Sequence, residues 1–414
     1  MSPERVFQIL TAAGLIAGGW FYGEYWKNSA AEQSELAESS SLRAENSDLT
    51  LKIDELEDEL EKARSIIAKG PYPVPEELIA WVEQDYNMVF LKPADIISAS
   101  PAAIRDAAET NLIFVHGEEG LKKESQAWEL LGLLPQSQQI LGQLIMINSS
   151  VKGIFDLTKE QILISEDFDP ASVPDRAVLA KLLAQQLSFQ NYPQREWNGR
   201  DEWQAWEAVH VGSAAALSAR FLRRVPDAQD GEYIDPEPMR EKLLNDLPPI
   251  IQGLSNFPYI EGADCSRFHY IDSRNRFGEM FKNPAKTTAE IFHPNRDPMI
   301  ATEIIFRESA AKLVVTNQLG ELGLRLWLEP FAGVLEAGPL SQEWRGDAYE
   351  VRDLNGETTL TWHIEMATEQ AARSLKAEVE RSLITPVKES QPKREIHVSQ
   401  FGTRMTFINT TPAQ

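Results

Sequence analysis

Histidine, cysteine and serine supply most metal ligands and nucleophiles in proteins, and this chain has six histidines and one cysteine. The histidines are His116, His210, His269, His293, His363 and His397. No two of them are four residues apart, the spacing at which one helix presents two imidazoles to one zinc ion. A lone Cys265 excludes an internal disulfide, and Ser188 lies outside the G-x-S-x-G pattern of a nucleophilic serine. Spacing alone therefore predicts no catalytic set.

The overall charge argues against one class of partner. The chain has 414 residues and a net charge of −23, whereas a nucleic-acid surface needs clustered lysine and arginine. Part of this charge is local, because residues 32–61 are dense in glutamate and aspartate, which is typical of a solvated acidic helix. A hydrophobic content of 43% is enough for a sizeable core. We therefore expect no nucleic-acid partner.

The first 27 residues are predicted to be a membrane anchor. Residues Val6–Tyr22 (VFQILTAAGLIAGGWFY) carry no charge, and the aromatic residues Trp20, Tyr22, Tyr25 and Trp26 cluster at the far end, as they do at a bilayer interface. A cleaved signal peptide or a buried helix is the alternative. Arg5 precedes the span and an acidic region follows it, so we expect a single-pass inner-membrane protein with a cytoplasmic N-terminus and an extracytoplasmic main domain.

Residues 28–70 are predicted to be a parallel coiled-coil stalk. Heptad position d is occupied by Leu42, Leu49, Leu56 and Ala63, and position a by Asn46, Ile53, Leu60 and Ile67. Lys52 and Glu59 at position g would face Glu57 and Arg64 of a second copy, which is attractive in a parallel pair. The pattern favours a homodimer; a single amphipathic helix lying on the globular domain is the alternative.

Residues 71–385 are predicted to form the main domain, followed by a C-terminal extension with short strands over 386–414. Helices are predicted over Glu76–Asp85, Ala102–Glu109, Leu121–Leu134, Pro174–Tyr192, Glu202–Arg224, Pro236–Leu254, Glu261–Lys282, Ala311–Pro330 and Glu369–Leu383. Hairpins are predicted over Gly153–Ser165 and Asp347–Ile364, and one or two strands over Glu395–Asn409. The expected fold class is α+β, helix-rich in the middle, with edge hairpins.

Several stretches in consistent order resemble a family of predicted bacterial and archaeal surface proteins of the gluzincin type. The hairpin GIFDLTKEQILI is similar to the family's G-F-Y-D-P-x-T-x-x-L-x-V, and residues 184–190 stand where the family has A-H-E-L-x-H-A. Further similar stretches are Ala208–Ala214, Tyr259–Gly262, Asn283–Pro294, Leu319–Gly323 and Trp344–Asp347. The resemblance covers about residues 75–385 and implies a zincin-like fold with a zinc peptidase site on two helices.

The positions that the resemblance assigns to chemistry have all changed. Gln185 and Phe189 stand where the family has its two histidine ligands, Gln186 replaces the general-base glutamate, and Val211 replaces the glutamate ligand of the second helix. An amide is a poor zinc ligand, a phenyl ring is none, and a glutamine cannot accept a proton near neutral pH. We expect no bound zinc, no other cofactor and no peptidase activity.

The resulting hypothesis is a membrane-anchored pseudopeptidase that binds a peptide or protein partner, with His210 and His293 as candidate binding residues near its cleft. One alternative is an envelope scaffold in which the fold only spaces or anchors other components. The other is a hydrolase with relocated catalytic residues. An open cleft beside Gln185, Gln186 and Val211 would favour the first, and a filled one the second.

Overall fold

The computed structural model describes residues 52, 69–71, 75–135, 140–193, 196–224, 238–273, 276–384 and 395–411. The chain divides into two compact units, Met1–Ser65 and Ile66–Gln414, and every described residue except Lys52 belongs to the second. The predicted anchor and nearly all of the predicted stalk lie outside the described residues, so both stay predictions. Within those residues, no helix is both long and apolar enough to cross a bilayer.

Helices make up most of the described unit. In chain order they are α1 (Glu76–Tyr86), α2 (Pro101–His116), α3 (Gly120–Leu131), α4 (Ile140–Ser149), α5 (Val173–Asn191), α6 (Arg200–Arg224), α7 (Pro238–Leu244), α8 (Pro249–Asn256), α9 (Ala263–Asp272), α10 (Thr288–Phe292), α11 (Gly320–Ala332), α12 (Val334–Ser341) and α13 (Glu369–Val379). A π-helical turn, Pro258–Gly262, joins α8 to α9, a 3-10 helix covers Phe277–Lys282, and a second π-helical turn covers Glu380–Ile384.

The strands form two sheets. They are β1 (Lys69–Pro71), β2 (Ile96–Ala99), β3 (Gly153–Asp156), β4 (Gln161–Ser165), β5 (Lys312–Asn317), β6 (Trp344–Leu354), β7 (Glu357–Met366), β8 (Glu395–Phe401) and β9 (Arg404–Thr411). The first sheet has the order β1-β2-β4-β3, with β2 and β4 parallel and the other pairs antiparallel. The second is antiparallel, β5-β6-β7-β9-β8. The described unit is therefore an α+β fold, as the sequence predicts.

Three helix predictions need correction. The helix predicted over Pro236–Leu254 is two helices, because Pro248 and Pro249 lack the amide hydrogens that a continuous helix needs. The helix predicted over Ala311–Pro330 begins only at Gly320, since the β-branched run before it forms strand β5. The helix predicted over Glu261–Lys282 is likewise divided, into α9 and the 3-10 helix.

Asp347 of β6 fixes α11 against the second sheet. Its carboxylate accepts hydrogen bonds from the backbone amides of Leu319 and Gly320, each at 2.9 Å, where α11 begins. The indole groups of Trp344 and Trp362 donate to the same carboxylate at 3.0 and 2.8 Å. A carboxylate at a helix N-terminus satisfies free amides and complements the helix dipole. The predicted hairpin thus also anchors a helix that is distant from it in sequence.

Two glycines allow α6 to pack closely on the π-helical turn that precedes α9. A methyl group on Gly212 would lie 2.4 Å from the carbonyl carbon of Gly262, and one on Gly262 would lie 2.7 Å from the carbonyl oxygen of Ala208. Backbones this close leave no room for any side chain. The contact fixes α6, the longest helix of the described unit, beside α9.

Candidate functional site

Two neighbouring helices, α5 and α6, form one wall of the candidate site. Ser172 caps α5, with its side chain accepting from the backbone amide of Asp175, and Pro174 supplies the fixed φ angle that suits a first turn. Helix α6 carries Asp201 and Glu202 in its first turn and ends with two arginines, the charge order that complements its dipole. Most of both helices is buried, so their side chains are held firmly.

A cavity of about 200 Å³ lies beside these helices, and α2, β3 and α8 contribute other parts of its lining. Its aromatic lining includes Phe155, Phe189, Trp203 and Trp206. Its polar lining includes Asn111, His116, Lys181, Gln185, Arg200, Gln204, Glu207, His210 and Arg240. The lining therefore combines apolar walls with a few polar groups, as small-ligand sites usually do.

The structure brings four of the six predicted site residues together. Gln185, Phe189, His210 and Val211 all line the cavity. Gln186 does not line the cavity, and its amide donates to the carbonyl oxygen of Glu160 at 2.7 Å. The space beside Gln185, Phe189 and Val211 is thus unfilled, and Gln186 is not part of its lining.

The sixth predicted residue, His293, lies elsewhere. It lines a second cavity, of about 190 Å³, together with Glu321 of α11 and Arg345 of β6. The cleft around His210 therefore does not include His293. The sequence motif that contains His293 gave no indication of which cavity it would line.

Sequence spacing also missed a contact between Ser188 and His210. The Ser188 hydroxyl lies 3.0 Å from the carbonyl oxygen of Gln185 and 3.0 Å from Nδ1 of His210. A hydroxyl has one hydrogen and the carbonyl can only accept, so both contacts are hydrogen bonds only if Ser188 donates to Gln185 and accepts from Nδ1–H. Nε2 of His210 then carries no proton. Two residues 22 apart in sequence give no spacing signal, because the α5–α6 packing alone joins them.

His210 is held as an uncharged ring. It packs on Trp206 with ring centroids 4.2 Å apart, and its edge contacts Phe281 at 4.8 Å. Burial lowers the pKa of His210 to about 3, so the imidazole stays neutral at physiological pH. Nε2 has no hydrogen-bond partner in the part of the chain that the structure describes. It can therefore accept a hydrogen bond from a ligand in the cavity.

Glu207, one helical turn before His210 and Val211, adds a carboxyl group to the lining. Burial raises its pKa to about 7, while Arg200 and Arg240 act in the opposite direction. The amide of Gln204 donates to it at 3.3 Å. A carboxyl that titrates near neutrality can donate or accept a hydrogen bond. The sequence patterns singled out no role for Glu207.

Arg200 stiffens another part of the lining. It forms a buried ion pair with Glu124 of α3, and its guanidinium group lies 4.7 Å from the ring centroid of Trp128. Asn317 also donates to Glu124. Because its charge is already paired, Arg200 holds the lining in place more than it offers a free cation.

Some buried polar atoms of the lining residues have no partner among the described residues. They are Nε1 of Trp128, Oε1 of Gln204 and Nε1 of Trp206. Leaving a buried donor or acceptor unpaired costs about 1–3 kcal/mol. A ligand with its own polar groups could pair with such atoms after small side-chain movements.

The zinc that the gluzincin resemblance implies does not fit the side chains at these positions. An amide, a phenyl ring and an isopropyl group occupy the three ligand positions, at Gln185, Phe189 and Val211. Across the described ranges, no group of three or more His, Cys, Asp or Glu side chains is placed to hold a metal ion.

Comparisons with known proteins assign no family to this chain. No protein-family model matches it, and no curated protein or solved structure matches it.

Proposed function

We propose that this chain is a noncatalytic binding protein, a pseudopeptidase whose peptide or protein partner places one side chain in the cavity beside α5 and α6. The observation that supports this most directly is the cavity of about 200 Å³ lined by Gln185, Phe189 and Val211. These side chains cannot perform zinc chemistry, yet they surround a space that a ligand can occupy.

The lining indicates which side chain would bind. An engineered cavity of about 150 Å³ holds a benzene ring, so the larger cavity here has room for a phenol or an indole. Trp203 and Trp206 contribute aromatic rings to the lining, and Nε2 of His210 contributes a hydrogen-bond acceptor. A tyrosine or tryptophan side chain, which joins an apolar ring to an O–H or N–H donor, matches both features.

The proposed setting of this binding rests on the sequence. An anchor at residues 1–27 would hold the binding domain outside the cytoplasm, and a stalk at 28–70 would pair two copies. Two cavities in one dimer would bind a two-site partner more tightly than either cavity alone.

The two alternatives have less support. A scaffold has no use for a cavity of this size, since unfilled space costs stability. A hydrolase would need an accessible nucleophile, but the Ser188 hydroxyl is fully buried, and Ser188 does not line the cavity. Binding without catalysis is therefore the proposal we favour.

Calorimetric titration of the full-length chain with 4-methylphenol and with indole tests this proposal. Toluene, which has a similar ring but no hydrogen-bond donor, serves as the comparison ligand. We expect saturable binding of 4-methylphenol and of indole, and severalfold weaker binding of toluene, because one hydrogen bond between uncharged groups contributes about 0.5–1.5 kcal/mol.

A matched pair of variants locates the binding. Val211→Phe would fill part of the cavity and weaken the binding of 4-methylphenol and of indole at least tenfold. Val334→Phe adds the same group at an exposed position of α12 and should leave the binding of both ligands unchanged. If neither ligand binds, or if Val211→Phe binds both as the unchanged chain does, the proposed function is wrong.

A further inference from the structure

The second cavity is lined mainly by charged and polar side chains. It measures about 190 Å³ and is bounded by Glu290, His293, Arg296, Asp297, Glu321 and Arg345, with Met299 and Ala289 among the other residues. It shares no lining residue with the first cavity. Whatever occupies it must satisfy charges of both signs.

His293 and Glu321 form its innermost pair. Nε2 of His293 lies 2.9 and 3.1 Å from the two carboxyl oxygens of Glu321, whose side chain is almost wholly buried. Burial raises the pKa of Glu321 to about 8 and lowers that of His293, so near neutral pH the carboxyl keeps its proton and donates a hydrogen bond to Nε2. The hydrogen of the neutral ring then sits on Nδ1. That N–H has no partner among the described residues, so it is available as a donor.

Two arginines contribute the remaining donors. The guanidinium groups of Arg296 and Arg345 both lie close enough to His293 and Glu321 to influence both pKa values. Neither arginine forms an ion pair with any residue that the structure describes, and the contacts of the Arg345 side chain are hydrogen bonds to the carbonyl oxygens of Gln342 and Trp344. Unpaired guanidinium groups bind carboxylates strongly, often through two parallel hydrogen bonds.

The acidic residues of the lining limit the ligand's charge. Glu290 and Asp297 would repel a second negative charge, so a dianion such as phosphate fits less well than a monoanion. The backbone amide of Lys286 donates to one carboxylate oxygen of Glu290 at 2.9 Å, which leaves its other oxygen for a ligand. An ammonium group could bind to these two carboxylates.

The cavity is held together by segments far apart in sequence. Glu290 and His293 come from the stretch 283–294, Glu321 from 319–323 and Arg345 from 344–347, three of the stretches on which the gluzincin resemblance rests. The amide of Thr302 donates to the carbonyl oxygen of Arg345 at 2.7 Å, and a methyl group on Gly346 would lie 2.5 Å from the carbonyl oxygen of Thr302. Close backbone packing thus fixes the segment that carries Arg296 against β6.

From this arrangement we infer that the second cavity binds the carboxylate group of a small organic acid or of a free amino acid. The carboxylate accepts hydrogen bonds from Arg296, from Arg345 and from Nδ1 of His293. An amino acid gains a further contact between its ammonium group and Glu290 or Asp297. This site is separate from the proposed peptide-binding cavity and does not depend on it.

Calorimetric titrations of the full-length chain with propionate, with L-alanine and with inorganic phosphate test the assignment. We expect saturable binding of at least one of the two carboxylates, and weaker binding of phosphate. If propionate and L-alanine both bind, the site recognises the carboxylate alone. If L-alanine binds and propionate does not, the site is one for amino acids. If neither carboxylate saturates, or if phosphate binds more tightly than both, the inference is wrong.

Variants locate the binding in this cavity. Arg296→Gln and Arg345→Gln should each weaken the binding of the carboxylate ligand at least tenfold. Arg373 forms an exposed ion pair with Glu369 on α13, and Arg373→Gln should leave this affinity unchanged. Arg296 is exposed, so its substitution leaves the fold intact even if the Arg345 variant unfolds. Affinity that survives Arg296→Gln in the folded protein would overturn the assignment.

Discussion

Ser188 of α5 and His210 of α6 are joined by a hydrogen bond of 3.0 Å between the hydroxyl oxygen and Nδ1. The bond ties together the two helices that form one wall of the first cavity. It also fixes the ring so that Nε2 lacks a proton and can accept a hydrogen bond from a ligand. A buried serine that does not line the cavity thereby sets the chemistry of a residue that does.

Replacement of this serine should therefore affect stability and binding together. Ser188→Ala leaves Nδ1 of His210 without a partner, so we expect a loss of about 1–3 kcal/mol in the free energy of unfolding. The ring is then free to move its proton to Nε2, and the affinity for indole should fall at least severalfold. Denaturant titration and calorimetry measure the two effects.

Ser218→Ala is the matched control for this change. Ser218 is also a buried serine between the same helices, and its hydroxyl donates to the carbonyl oxygen of Ala177 at 2.9 Å, away from the cavity. It should lose stability without losing affinity for indole. Equal affinity losses in both variants would show that Ser188 acts only through the packing of α5 on α6.

The close approach of Gly212 and Gly262 gives a prediction about stability alone. Gly212→Ala would place its new methyl group against backbone atoms that cannot move aside, so we expect at least about 2 kcal/mol of destabilisation. Gly142→Ala, in α4 with no atom within 4 Å of the new methyl group, should instead stabilise the helix by up to about 1 kcal/mol. Denaturant titration of both variants checks the difference. If Gly212→Ala is as stable as the unchanged chain, α6 does not approach the π-helical turn this closely.

Local patterns predicted the two hairpins and several helices, but not every element and not the tertiary partners. The hairpin at Asn355–Gly356 was predicted from its turn dipeptide, and it forms between β6 and β7. By contrast, no local signal predicted the strand over Lys312–Asn317 or its pairing with β6, because a short β-branched run beside a helical pattern fits either assignment. The likeness of 184–190 to a catalytic helix pointed to the first cavity, whereas Glu207 and Ser188 enter the site only through tertiary packing.

The protonated Glu321 predicts a loss of stability as pH rises. Its pKa is raised by burial from 4.5 to about 8, so this residue binds a proton more tightly in the folded chain than in the unfolded one. The contribution of Glu321 to the free energy of unfolding is fully present below 4.5, its pKa in the unfolded chain. That contribution is lost as the pH rises through about 8, its pKa in the folded chain. The groups that face it are His293, Asp201, Arg296, Arg325 and Arg345. The three arginines lower the pKa of Glu321, and Asp201 raises it further.

Glu321→Gln isolates this contribution. The amide keeps a hydrogen-bonding group beside His293 but does not titrate, so between about pH 5 and about pH 8 the variant should lose less stability than the unchanged chain, by up to about 4 kcal/mol. Glu357→Gln, at an exposed position where β7 begins, should follow the unchanged chain. Denaturant titrations at several pH values measure this. Parallel pH profiles for all three proteins would show that Glu321 is ionised in the folded state.

The predicted stalk is tested by two leucines two positions apart. Leu49 occupies heptad position d and would be buried between two copies, whereas Leu51 occupies position f and would face solvent. We expect the full-length chain to be a dimer by light scattering, Leu49→Lys to be monomeric, and Leu51→Lys to remain dimeric. A monomeric unchanged chain, or the same mass for both variants, would contradict the coiled coil.

Metal content distinguishes a binding protein from a peptidase most directly. The three positions that the gluzincin resemblance assigns to zinc ligands carry groups that bind zinc poorly or not at all, so we expect far less than one zinc per chain in the full-length protein after dialysis against trace zinc. His210 precedes Val211 directly in sequence, and its unprotonated Nε2 is chemically able to bind a metal. Stoichiometric zinc would therefore overturn the prediction. His210→Ala would then show whether this residue holds the metal, because loss of zinc in that variant alone, with Ser218→Ala retaining it, places the ion in the first cavity.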